Sequence, residues 1–222
     1  GTIMPNLISQ WWQNFLRFDY SPEDCRAFHQ AIEDVIVPAA TRIYKRHLKE
    51  MGLERLRPWD LSDGWFSRPV ETGKPQLKPF KDMDDFKKKT ENVFDHVDAE
   101  IGKYFRQMKD SNLLDLANRK NKAPGAYCTS FDVIRKPFIF MNAVGQHDDV
   151  QTLLHESGHA FHVFESAQLP YSQQLTVPME FAEVASMGME LLAAPYLTNE
   201  FGGFYTKEEA NRARVEHMEG NI

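Results

Sequence analysis

The chain has 222 residues and a mass of 25.7 kDa, and its 42% hydrophobic and 12% aromatic residues are enough for one large domain or two small ones. Its 32 acidic and 26 basic residues give a formal charge of −6, which speaks against a nucleic-acid-binding surface. No apolar run approaches the ~20 residues of a membrane span, no secretory leader is recognisable, and two cysteines form no disulfide framework, so we expect a cytoplasmic protein.

The first half of the chain predicts two long helices joined by a loop. Ser21, followed by a proline and two acids, is typical of a helix start, and Gly52 of the end of the same helix. Pro38 should kink this helix or divide it. Four prolines and two glycines between Arg57 and Pro79 predict a loop. Apolar residues at helical spacing from about Met83 to Met108 predict one second helix.

Two runs with strand character follow, at residues 127–134 and 138–144. We predict that they pair. An extended peptide could then add to one edge of the pair by backbone hydrogen bonds, or the strands could serve only to support the next helix. The candidate peptide-binding residues in the second run are Phe138, Phe140, Asn142 and Ala143.

Residues 148–166 carry the pattern His155-Glu156-x-x-His159 within a run of helical character. Asp148 or Asp149 can cap the start of this helix. Apolar residues recur at three- and four-residue steps and give it one face to bury, namely Val150, Leu153, Leu154, Phe161 and Phe164. Four residues of α-helix advance about 400°, so both histidines lie on one side, one turn apart, and can bind one metal ion. This spacing is typical of zinc peptidases.

The stretch 176–194 predicts another helix and supplies two candidate carboxylates, Glu180 and Glu183, for a zinc site with two histidines and one glutamate. The alternative site, with a third histidine six residues after the second, is excluded because position 165 is a glutamate. A cysteine-rich structural zinc site is also excluded, because neither cysteine has a metal-ligand spacing. Thr206-x-x-Glu209 is a capping box and predicts a last helix.

Four segments of this sequence resemble the thimet oligopeptidase and oligoendopeptidase F family of zinc metallopeptidases. Two resemble its catalytic core, namely His155-Glu156-Ser-Gly158-His159-Ala-Phe-His162 and Glu180-Phe-Ala-Glu183-Val-Ala-Ser186. Two resemble the segment before its zinc helix, namely Gly125-Ala126-Tyr127 and Phe138-Ile-Phe-Met-Asn142. The resemblance implies a mainly α, helical zincin-like metallopeptidase catalytic domain with a small β-hairpin or sheet before the zinc helix. It also implies a deep channel that admits peptides but not folded proteins.

The same resemblance assigns roles to individual residues. Glu156 is the implied general base, and Glu180 is the implied carboxylate that accepts a hydrogen bond from a ligand histidine. We expect His162 to pack or hydrogen-bond near the site without binding metal. The implied ligands of one zinc ion per chain are His155, His159 and Glu183.

These features predict that residues 1–222 are one helical catalytic-domain fragment of a longer metallopeptidase, with a helical part at 1–122 and a zinc-site part at 123–222. The expected reaction is hydrolysis of short peptides at internal bonds. Zinc would lower the pKa of its bound water from about 15.7 towards about 7 and polarise the carbonyl. Glu156 would then accept the proton of the water and pass it to the leaving amine.

Oligopeptides are the expected partners, with no nucleic acid and no membrane. Two alternatives remain open at the level of the sequence. One is a zinc dipeptidyl carboxypeptidase, which shares the layout of two histidines and a later glutamate. The other is a non-catalytic, metal-stabilised fragment that binds peptides without cutting them.

Overall fold

Helices dominate the structure, a computed structural model that describes residues 10–60 and 75–220. The chain divides into two units by its internal contacts, Gly1–Pro75 with Asn211–Ile222 and Gln76–Ala210. The predicted fold class, mainly α with a small sheet before the helix that carries His155 and His159, is confirmed. Within the described ranges, no helix is long and apolar enough to cross a membrane.

The first unit contains residues 10–14, which are helical, and the helices α1 (Pro22–Ala31) and α2 (Val37–Glu50). Ser21 caps α1 as predicted. A π-helical segment, Ile32–Ile36, separates α1 from α2 just before Pro38, which has no N–H to give to a regular helical bond. The predicted interruption at this proline is therefore confirmed. Residues 61–74 of the predicted loop lie outside the described part of the chain.

The second unit begins with two helices, α3 (Met83–Val97) and α4 (Ala99–Asp110), where the sequence predicted one. That prediction is wrong at Asp98, whose backbone is extended (φ −163°, ψ 142°) and whose carboxylate accepts the Glu100 N–H at 2.7 Å. The break lets Phe94 of α3 pack on Phe105 of α4, with ring centroids 5.2 Å apart and both side chains fully buried. The apolar period continues across the break, so the periodicity alone did not reveal it.

Three strands form one sheet in the order β1-β3-β2, from β1 (Leu114–Ala117), β2 (Tyr127–Phe131) and β3 (Lys136–Ala143). The predicted pairing of the two strand-like runs is confirmed, because β2 is antiparallel to β3. β1, which was not predicted, lies parallel to β3 on its other side. β3 is therefore the middle strand, and β2 is an edge strand among the described residues.

The remaining helices are α5 (His147–Ser166), α6 (Met179–Ala193) and α7 (Lys207–Gly220), which begins after the predicted capping box. In that box, the Thr206 N–H donates to Glu209 at 2.9 Å. α5 packs on β3 and on α6, and short 3₁₀ turns connect the later elements. These contacts place α5 between the sheet and α6, in the centre of the second unit.

Candidate metal centre

The start of α5 is fixed to the end of β3 by one carboxylate. Oδ2 of Asp149 accepts the backbone N–H groups of Val144, Gly145 and Gln146 at 2.9, 2.7 and 2.8 Å. This agrees with the predicted capping by an acid at this point. The five predicted apolar residues of α5 are all buried, so its histidine-bearing side is left to face α6.

α5 and α6 cross at very short range, and Gly158 makes this possible. A Cβ atom at Gly158 would come within 2.5 Å of the Ala185 carbonyl oxygen and 2.6 Å of the Ser186 Cα. No side chain fits at this point of the crossing, because real Cβ atoms do not approach backbone so closely. The absence of a side chain at Gly158 therefore sets how closely the carboxylates of α6 can approach the two histidines.

Three side chains converge where the two helices face each other. His155, His159 and Glu183 each offer one ligand atom, and the three atoms lie within 4.8 Å of one another. Oε2 of Glu183 is 3.2 Å from Nε2 of His155 and 3.8 Å from Nε2 of His159. All three residues are half-buried. The structure thus brings together the three residues that the resemblance named as metal ligands.

Two groups that were not predicted hold this cluster in place. Oε1 of Glu190 lies 2.6 Å from Nδ1 of His155, which leaves Nε2 of that ring directed at the cluster. The Ser186 hydroxyl donates to Oε2 of Glu183 at 2.9 Å. Glu190 follows Glu183 by seven residues, two helical turns on the same face, and this spacing is the signal that could have found it.

The carboxylate at the Nδ1 of His155 is thus Glu190, and the role that the sequence assigned to Glu180 stays a prediction. Glu180 is exposed in the first turn of α6. His155 meets Glu190 near the end of α6, while Gly158, later on α5, meets Ala185 nearer the beginning of α6. The helices are therefore antiparallel, which places Glu190 beside His155.

The two ligand histidines have opposite shifts in pKa. The hydrogen bond with Glu190 is the main reason that the pKa of His155 is raised. Burial is the main reason that the pKa of His159 is lowered, and the nearby positive charges of His155 and His162 lower it further. His162 is half-buried one turn beyond His159 and is not a member of the three-residue cluster.

Glu156 lies beside the cluster and is buried. Burial raises its pKa, while the charge of His155 and a hydrogen bond from the backbone N–H of Cys128 on β2 oppose that shift. Burial and the charge of Glu156 together raise the pKa of the Cys128 thiol to about 12, so this thiol stays protonated at neutral pH. A buried carboxylate that is close to the cluster without belonging to it is suited to accept a proton.

The four candidate peptide-binding residues all lie on β3. Ala143 is buried, and Phe138, Phe140 and Asn142 are half-buried. Phe140 stacks on Tyr127 of β2, with centroids 5.0 Å apart. Because β3 is the middle strand, the free edges of the sheet among the described residues belong to β1 and β2, and a role for the β3 side chains stays a prediction.

The family profile described as peptidase family M3 matches residues 9–220. The chain belongs to this family. The match spans both units and includes His155, His159 and Glu183, the candidate metal ligands of the M3 chain.

Individual relatives of this M3 chain agree with the family profile. An oligoendopeptidase F homologue of Mycoplasma genitalium is 29% identical over 156 residues, which are 70% of this chain and 24% of that protein. A crystal structure from Bacillus anthracis, described as an oligoendopeptidase F, is 31% identical with a TM-score of 0.81 and covers 94% of this chain and 36% of its own. PZ peptidase A, solved with an inhibitor, is 31% identical with a TM-score of 0.80 over 94% and 35% of the two chains. The M3 chain thus spans about a quarter to about a third of these relatives.

The cluster of the M3 chain fits a zinc ion in the kind and the separation of its donor atoms. Catalytic zinc sites commonly combine two imidazole nitrogens with one carboxylate oxygen. Two ligands of a tetrahedral zinc ion, each about 2.0–2.1 Å from the metal, lie roughly 3.3 Å apart. The separations of 3.2 and 3.8 Å between Glu183 and the two histidines are close to that value.

Proposed function

We propose that this chain carries the catalytic centre of a zinc-dependent endopeptidase that hydrolyses short peptides. The observation that carries the proposal is the three-ligand cluster of His155, His159 and Glu183, with the buried carboxylate of Glu156 beside it. Membership of a peptidase family and relatives described as oligoendopeptidases support the same reaction class.

The side chains around the cluster supply the acid–base chemistry. A bound zinc ion supplies Lewis acidity towards the peptide carbonyl and lowers the pKa of water from about 15.7 to about 7. Glu156 accepts the proton of the attacking water and delivers it to the leaving amine, a step worth roughly 10²–10⁴-fold in rate. Glu190 and Ser186 hold the ligand atoms of His155 and Glu183 in position.

The edge of β2 is the proposed binding surface for the peptide backbone. The backbone N–H of Cys128 lies near the carboxylate of Glu156, so at this residue β2 turns a backbone group towards the site rather than towards β3. Backbone groups alternate between the two sides of an antiparallel strand, so Ser130 presents its N–H and C=O on the same free edge. An extended peptide that pairs with this edge lies next to the general base.

The variant Glu156→Gln tests the reaction. We expect it to bind zinc as the wild type does, because Glu156 is not in the cluster, and to lose at least about 10²-fold in kcat. Metal content by mass spectrometry and cleavage of a fluorogenic peptide are the two measurements. His155→Ala is the control that should lose both metal and cleavage. Unchanged cleavage by the Glu156→Gln protein would show that Glu156 is not the base.

The carboxypeptidase alternative is tested with peptides blocked at both ends. An endopeptidase cleaves them at internal bonds, whereas an enzyme that releases dipeptides from a free carboxyl end leaves them intact. The descriptions of the relatives as oligoendopeptidases favour internal cleavage. Resistance of blocked peptides, together with cleavage of their unblocked forms, would support the alternative.

A further inference from the structure

A pocket of about 230 Å³ lies where the β2–β3 turn meets the end of α5. Ligand pockets for small molecules begin at about 300 Å³, so this volume suits one side chain rather than a whole ligand. The residues that line it include Ser130, Asp132, Arg135, Val163, Ser166 and Thr176.

The pocket lies close to the metal centre along two elements. Val163 follows His159 by one turn, or about 6 Å along the axis of α5. Ser130 follows Cys128 by two residues, or about 6.6 Å along β2, and the backbone of Cys128 lies near Glu156 where β2 packs on α5. An extended peptide advances about 3.3 Å per residue. A peptide on the β2 edge would therefore reach the pocket with a side chain about two residues from the bond beside Glu156.

Arg135 is held in the wall of the pocket by its local backbone and by α5. Its φ of 50° lies in the left-handed region, which is unfavourable for a residue with a side chain. The conformation is stabilised by the bond from its N–H to the Phe131 carbonyl at 2.7 Å. Its Nη1 donates to the carbonyls of Ala167 and Leu169 at 2.8 and 2.6 Å. Among the described residues, no acceptor is bonded to its Nε or Nη2.

Asp132 supplies the opposite charge in the same pocket. Its Oδ1 accepts a hydrogen bond from the Ser130 hydroxyl at 3.3 Å, and its Oδ2 has no donor within the described part of the chain. The pocket thus combines guanidinium donors with a carboxylate acceptor. An amide side chain, with one acceptor oxygen and one NH₂ donor, complements both groups. A carboxylate would be attracted by Arg135 and repelled by Asp132, so it pairs with only one of the two groups, and an aliphatic side chain would pair with neither.

We propose that this pocket selects peptides with glutamine or asparagine about two residues from the cleaved bond. The inference rests on the proposed peptidase function and names a specificity pocket for it. Asp132 and Arg135 are the residues that determine the selection. The positions of Ser130 on β2 and Val163 on α5 place the pocket close to the metal centre.

The test uses peptides that differ only in carrying Gln, Glu or Leu at one position, scanned along both sides of the cleaved bond. At one position, we expect kcat/KM to be about tenfold higher for Gln than for Leu. Asp132→Asn removes the repulsion and should bring kcat/KM of the Glu peptide to within about twofold of that of the Gln peptide. Asp84→Asn, which removes an equal charge from the first turn of α3, is the matched control. It should leave the ratio of kcat/KM between the Glu and Gln peptides unchanged. Ser172→Trp places a large side chain on another wall of the pocket and should give the Gln and Leu peptides similar values of kcat/KM.

The outcomes separate the pocket from the catalytic proposal. Cleavage with equal rates for the three side chains at every position would overturn the pocket and leave the peptidase in place. An equal change in the Glu-to-Gln ratio of kcat/KM in the Asp132→Asn and Asp84→Asn proteins would also overturn the proposed pocket. If no peptide is cleaved, dissociation constants of the three peptides for the zinc-loaded Glu156→Gln protein decide the matter. A preference for Gln that Asp132→Asn shifts towards Glu would then support the pocket without the catalysis, and equal constants would contradict it.

Discussion

His155 directs one ring nitrogen at the cluster, while a residue of α6 holds the other nitrogen. Its Nε2 lies 3.2 Å from Oε2 of Glu183, and its Nδ1 lies 2.6 Å from Oε1 of Glu190. Such contacts fix the orientation of the ring before metal arrives, which reduces the entropy that binding must overcome. The metal affinity of the site therefore depends on α6 residues that do not touch the metal.

Glu190→Gln should weaken zinc binding by about 10–100-fold, because the amide is a weaker partner for the ring N–H than a carboxylate. Glu208→Gln, which removes the charge of an exposed acid in the first turn of α7, is the matched control and should have little effect. Competition with a chromogenic chelator measures both affinities. Equal zinc affinity of the Glu190→Gln and Glu208→Gln proteins would contradict the role of Glu190.

At the scale of elements, the crossing of α5 and α6 is the feature on which the site depends. Gly158 allows backbone contact at the crossing, and Ser186 on α6 is fully buried there while it bonds to Glu183. A wider separation would carry Glu183 away from both imidazoles. The crossing thus couples helix packing directly to the geometry of the ligands.

Gly158→Ala should destabilise the protein by about 1–3 kcal/mol, because the added methyl group forces the helices apart. It should also lower the zinc affinity, since α6 moves away with Glu183. Gly188→Ala is the control: Gly188 lies in α6 with open space at its Cβ, and the change should stabilise the helix by about 0.5–1 kcal/mol. Urea unfolding and zinc titration measure the two effects. Equal stability of the Gly158→Ala protein and the wild type would show that the crossing tolerates a side chain.

At the scale of the whole molecule, the two units differ in their cores. Apart from Ala213, the buried apolar side chains among the described residues belong to Gln76–Ala210. α1 and α2 contain no buried residue, and Phe28, Val35 and Val37 are more than half exposed. Because burial of apolar surface is the main stabilising term, the second unit should hold most of the stability of this chain.

Hydrogen–deuterium exchange should therefore be faster in residues 22–50 than in α3 to α6. Added zinc should slow exchange in α5 and α6, because a ligand that binds only the native state stabilises it. The His155→Ala protein should show no such slowing. Mass spectrometry of peptic peptides measures both effects. Stronger protection of residues 22–50 than of α5 would contradict the unequal stability of the units.

Features that depend on neighbours along the chain could be predicted from the amino-acid pattern. The spacing of His155 and His159 fixes two ligands on one helical face, since the helix has a constant pitch, and the caps at Ser21 and Thr206 satisfy N–H groups within three residues.

Features that depend on distant segments could be seen only in the folded chain. Glu190 meets His155 because α6 crosses α5 in the antiparallel sense, β1 joins β3 from more than twenty residues away along the chain, and α3 and α4 part at Asp98 so that Phe94 can pack on Phe105. Helix pitch and capping are local energies that repeat wherever the residues occur. The sense and closeness of a helix crossing are set by the packing of whole faces, which no short pattern contains.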